Sequence, residues 1–126
     1  MASLSIAEIR DVVTSGCVSC SGAPIAGDIS SWDTNFQEQW YRAHDIVGAA
    51  FCMEPPATKI QADADCLRST VFQHVLLTTS DDALAAYTSD DFYLIINAAI
   101  LGVEDSWIAK LWNTYRHGRS PYVEAT

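Results

Sequence analysis

An all-α domain is predicted by three observations. Apolar residues recur every three or four positions along most of the 126-residue chain, Ser or Thr followed three residues later by an acid precedes several of these runs, and Gly or Pro stands where most of them stop. The expected architecture is a single-domain bundle of five or six helices over residues 1–126, with 117–126 as a frayed tail. With 49% hydrophobic residues, four Trp, five Tyr and four Phe, a chain of this length can bury roughly two-thirds of the surface its unfolded form exposes.

The first helix starts at a capping box, with Ser5 as N-cap, Glu8 three residues on and Leu4 stapled to Ile9. Ile6, Ile9, Val12 and Val13 share its apolar face, and Gly16 is placed to end it. Cys17 to Gly27, rich in small residues and holding Pro24, reads as a loop. From about Ser31 to Cys52 the positions Trp32, Phe36, Trp40, Ala43, Val47 and Phe51 repeat at helical spacing until Pro55-Pro56 stops them. Ile60, Ala64, Leu67, Val71 and Val75 continue the pattern to about Leu77. These two helices are expected to pack antiparallel across the proline turn.

Two Thr-Ser-Asp-Asp tetrads follow, Thr79-Ser80-Asp81-Asp82 and Thr88-Ser89-Asp90-Asp91. Acids in a first helical turn complement the positive end of the helix dipole, so each tetrad is read as a helix start. The first opens a short helix over about Asp81 to Tyr87, and the second opens another from about Ser89 to Leu101. The latter is apolar nearly all round, which places it at the centre of the bundle or in an interface, and its β-branched run keeps a strand as the other reading. Glu104-Asp105-Ser106 starts the last helix, with Trp107, Ile108, Leu111, Trp112 and Tyr115 in one stripe and Gly118 and Pro121 beyond it. The expected core draws on Ile9, Val13, Phe36, Trp40, Val47, Leu67, Val71, Leu94, Ile95, Leu111 and Trp112.

The formal charge is −9 and it is unevenly spread. Residues 63–105 carry eight carboxylates against Arg68 alone, whereas 106–126 carry Lys110, Arg116 and Arg119 against Glu124. A field of this sign repels nucleic acid and anionic membranes, so neither is an expected partner. The first ten residues lack the charged start and continuous apolar core of a signal peptide, and Phe92 to Val103 is too short to cross a bilayer. A cytoplasmic location follows, where thiols stay reduced.

Catalytic signatures do not emerge. No G-x-S-x-G elbow, phosphate-cradling Gly loop, calcium-loop spacing or Glu-x-x-His diiron motif occurs, and His44, His74 and His117 have no orienting acid set by spacing. Cys17-Val18-Ser19-Cys20 with Cys52 and Cys66 is a candidate zinc site. It lacks the second C-x-x-C of a closed knuckle, so buried or incidental thiols are the plainer reading and no cofactor is expected.

A non-enzymatic binding module remains the leading expectation. A compact acidic protein of this size suits an inhibitor or immunity-type role in which it masks a basic surface of a protein partner. Asp81, Asp82, Asp90, Asp91, Glu104 and Asp105 would supply the steering charge. The alternatives are a zinc-binding domain built on the four Cys, or a homo-oligomeric structural subunit that buries Phe92–Leu101 between protomers.

Overall fold

The computed structural model describes residues 4–15, 29, 31 and 33–122. Among them are five helices and no strand: α1 (Ile6–Thr14), α2 (Phe36–Met53), α3 (Thr58–Thr79), α4 (Asp82–Leu101) and α5 (Ser106–Arg116). The helical reading of Phe92–Leu101 therefore holds.

α1 forms as its capping box dictates. Ser5 Oγ accepts from the Glu8 N–H at 3.3 Å, and Ile9 and Val13 are buried with Leu4, Ile6 and Val12 packed around them. Gly16, expected to end it, lies outside the described residues. α2 begins later than its apolar periodicity suggests. Asp33 Oδ1 accepts from the Asn35 N–H at 2.9 Å, and the Asp33 carbonyl accepts from the Phe36 N–H at 3.1 Å, so a turn precedes the helix. Pro55 and Pro56 end it, since the residue before a proline is pushed out of the helical region.

α2 and α3 do not pack on each other across that turn as expected. Each packs on α4, which also contacts α1 and α5, and α4 is the shared neighbour of every other helix. Phe92, Ile95, Ile96 and Ala98 are fully buried and Leu94 nearly so, which explains why this segment is apolar on all sides. Its apolar surface is covered from within the chain, so an interface between protomers is not what accounts for it.

The two tetrads take different roles. Ser80 adopts a left-handed φ of 57° that ends α3, and Asp81 caps α4 by accepting from the Leu84 N–H at 3.0 Å. The second tetrad starts nothing. It lies inside α4, which runs unbroken for 20 residues because no Gly or Pro interrupts it and the tetrad's side chains are engaged elsewhere. Ser89 Oγ donates back to the Ala86 carbonyl at 2.9 Å, Thr88 is buried, and Asp91 turns into the core. α4 ends at Gly102, with φ at 68°, and the Val103 N–H donates to the Ala98 carbonyl at 2.9 Å.

Asp105 caps α5 by accepting from the Ile108 N–H at 3.0 Å, and Trp107, Ile108, Leu111, Trp112 and Tyr115 bury the expected stripe. Residues 117–122 are not a frayed tail. Gly118 turns the chain at φ 74°, Ser120 and Pro121 are buried, and the Pro121 carbonyl accepts from the Ser31 N–H at 2.6 Å. No described helix is long and apolar enough to cross a membrane.

Candidate functional site

Asp91 is 0% exposed, and three neutral donors converge on its carboxylate. Oδ1 accepts from the Trp40 indole N–H at 2.8 Å, while Oδ2 accepts from the hydroxyls of Tyr115 at 2.6 Å and Tyr122 at 2.7 Å. One side chain on α4 thus ties together α2, α5 and the segment after α5. Burial disfavours the charged form and pushes the carboxyl up to about 6, against the three donors that pull it down and with the nearby Asp90 charge adding to the rise. The Tyr122 hydroxyl is pushed up in turn, first by its own burial and then by the Asp91 charge.

Above this hub lies a cleft of roughly 330 Å³. Phe36, Gln37, Trp40 and Tyr41 line it from α2, Tyr87 and Asp90 from α4, and Ser31 and Tyr122 from the two flanking segments. Tyr87 stacks on Tyr122 with ring centroids 5.5 Å apart, Phe36 meets Tyr122 edge-on at 5.7 Å, and Trp40 meets Tyr41 edge-on at 5.4 Å. Tyr41 and Tyr87 remain 56% and 57% exposed, so two large aromatic rings face solvent at its mouth. The Asp91 hydrogen bonds fix two of the lining side chains, Trp40 and Tyr122, and that makes the cleft preformed.

Asp90 stands between this cleft and a second one lined by Asp65, Arg68 and Phe72 of α3. On that side it pairs with Arg68, whose guanidinium also lies 4.8 Å from the centre of the Tyr93 ring. His44 stacks on Trp40 with centroids 3.8 Å apart, and its Nε2 is buried without a hydrogen-bond partner among the described residues. Burial holds its pKa below the usual imidazole range, against the pull of Asp90 and Asp45, and favours the neutral ring.

The six acids expected to act together are dispersed. Asp81 and Asp82 are exposed at the start of α4 and Asp90 is half-exposed near its middle, while Glu104 and Asp105 lie beyond its other end, about 30 Å from the first pair at ~1.5 Å per residue. Asp91 is wholly interior and offers no exposed charge. Asp105 is bound bidentately by Arg42, at 2.8 and 3.1 Å, which holds its carboxyl below the usual range. Of the four cysteines, Cys17 and Cys20 lie outside the described residues. Cys52 and Cys66 are exposed free thiols on helices that pack on α4 rather than on one another. Among the described residues no three His, Cys, Asp or Glu side chains gather as a metal-ion cluster.

Sequence reasoning placed Trp40 in the core and gave no role to Tyr41, Tyr87 or Tyr122. One available signal was the position of Asp91. In a single uninterrupted helix it falls on the stripe Leu84, Thr88, Asp91, Ile95 and Ala98, which is the buried face.

These features define a small, acidic, all-helical protein with a preformed aromatic cleft at its surface. Residues 30–122 match the family described as Immunity protein PIM1, and the chain belongs to that family. It is thus an inhibitor of the immunity type, and immunity proteins bind a cognate toxin. The cleft falls wholly inside the matched segment, from Ser31 at one end to Tyr122 at the other. No curated protein and no solved structure matches the chain.

Proposed function

We propose that this protein neutralises its toxin by masking a basic surface, and that the face carrying the aromatic cleft makes the contact. The observation that carries this reading is the pairing of solvent-facing Tyr41 and Tyr87 with Asp90 around a preformed cleft in a chain of net charge −9. Tyr and Trp are favoured interface anchors because they bury much area at little cost in rotamer freedom, and a single-sign field steers a complementary partner. Asp82 opens the same helix and Asp81 caps it, about one and a half turns before Tyr87, and both add to that field, while Glu104 contributes at longer range. Asp105, neutralised locally by Arg42, and interior Asp91 act through structure. The exposed thiols of Cys52 and Cys66 suit a reducing, cytoplasmic setting.

Association kinetics with the cognate toxin test the reading. Converting Asp81, Asp82 and Asp90 to Asn and Glu104 to Gln should slow association roughly tenfold at low salt and flatten its salt dependence, with the helical signal unchanged. An on-rate that ignores both the four substitutions and the salt concentration would overturn the steering role.

A further inference from the structure

We infer that the aromatic cleft is a receptor for one arginine side chain projected by the toxin. This deepens the masking reading and rests on it. Three features point to a guanidinium. Aromatic faces carry negative potential and attract a cation held above them, and four such residues, Trp40, Tyr41, Tyr87 and Tyr122, line the cleft. One face each of Tyr87 and Tyr122 is taken by their mutual stacking and His44 stacks on Trp40, while Tyr41 and Tyr87 are more than half exposed. Among the described residues lining it, the charged one is Asp90, an acid. Its volume, roughly 330 Å³, lies at the lower end of the range for ligand sites, enough for one long side chain rather than a large cofactor.

The molecule also contains its own template for the contact. On the opposite side of Asp90, Arg68 bonds Oδ1 while its guanidinium lies over the Tyr93 ring. A carboxylate has two oxygens and about four acceptor sites, so a second guanidinium arriving from the cleft can use Oδ2 while a tyrosine ring covers its face. Asp91, behind the cleft, is a positioning residue. It fixes Trp40 and Tyr122 before any partner arrives, so less side-chain freedom is lost on binding.

The test uses the full chain and N-acetyl-L-arginine amide as probe, read by the NMR shift of the Trp40 indole N–H, with N-acetyl-L-citrulline amide as the neutral isostere. The expected result is a saturable shift with the arginine amide and a response at least about fivefold weaker with citrulline. Asp90→Asn and Tyr87→Leu should each weaken the arginine response by about the same factor, with far-UV circular dichroism confirming the fold. Arg68→Gln, which frees Asp90 of its internal partner, should tighten it. Equal curves for the two amides, an unaltered response in Asp90→Asn, or resonances that shift with protein concentration alone, as a second copy in the cleft would produce, would each overturn the inference. If the titration fails while the chain still neutralises its toxin with a salt-dependent on-rate, the cleft is excluded and masking stands. If the titration succeeds while neutralisation ignores charge, the masking reading fails on its own.

Discussion

Asp91 is a carboxylate folded into an apolar interior, and its ionisation works against the fold. Its pKa of about 6 exceeds the unfolded value of 3.8, so between those limits the folded chain holds a proton that the unfolded chain releases. Its stabilising contribution is complete below the unfolded value and is lost as pH rises through 6. Acidification from pH 7 to 5 should therefore raise the Asp91 contribution to the unfolding free energy by ~1 kcal/mol, read as the difference in urea-derived stability between the native chain and Asp91→Asn at the two pH values. His44, whose charged form burial disfavours, acts in the opposite sense as pH falls through the ordinary imidazole range. Asp105 also has the opposite sign. Arg42 depresses its pKa, so its contribution is present above the unfolded value and fades at lower pH, below the window in which Asp91 acts. Asp91→Asn should remove the Asp91 rise and leave the loss of stability that half-buried, neutral His44 contributes as pH falls from 7 to 5. Tyr122→Phe removes one donor that stabilises the carboxylate, so it should cost about 1–3 kcal/mol at pH 7 and move the Asp91 pKa further above 6, as followed by its carboxyl carbon resonance.

At the scale of elements, periodicity and punctuation explain most of what was legible. Ser5 and Glu8 mark the start of α1, and Pro55 and Pro56 the end of α2, because capping and missing donors act within a few residues of one another. The second tetrad misleads for a physical reason. Thr-Ser-Asp-Asp has cap chemistry, but a cap forms only where the side-chain oxygens are free to take backbone N–H groups, and here Asp91 is claimed by residues 24, 31 and 51 positions away. Gly102→Ala is expected to cost about 1 kcal/mol in thermal or chemical unfolding. The added methyl meets nothing within 4 Å, so the penalty is that of a left-handed backbone alone. Ile95→Ala, at the fully buried centre of α4, should cost 2–5 kcal/mol, through lost burial and the cavity it leaves.

Across the whole molecule, the charge imbalance was plain from composition, but where the acids stand was not. A sum over residues 63–105 cannot show that Asp81 and Glu104 lie at opposite ends of one helix, nor that Asp91 faces inward. The cleft was illegible for a related reason. Its walls come from residues 36–41, 87–90 and 122, brought together by tertiary packing around Asp91. With sixteen acids against seven Lys and Arg, mutual repulsion is the dominant long-range electrostatic effect in the folded chain. Raising salt from low to physiological ionic strength should therefore raise the melting temperature, whereas a protein dependent on its surface ion pairs would melt earlier.

The bond from the Ser31 N–H to the Pro121 carbonyl brings the two borders of the family-matched segment into contact. A polypeptide that leaves and returns at one point has both of its ends at a single seam. The segment is nonetheless not self-contained, because α1 lies outside it and seats Ile9 and Val13 in the shared core against α3 and α4.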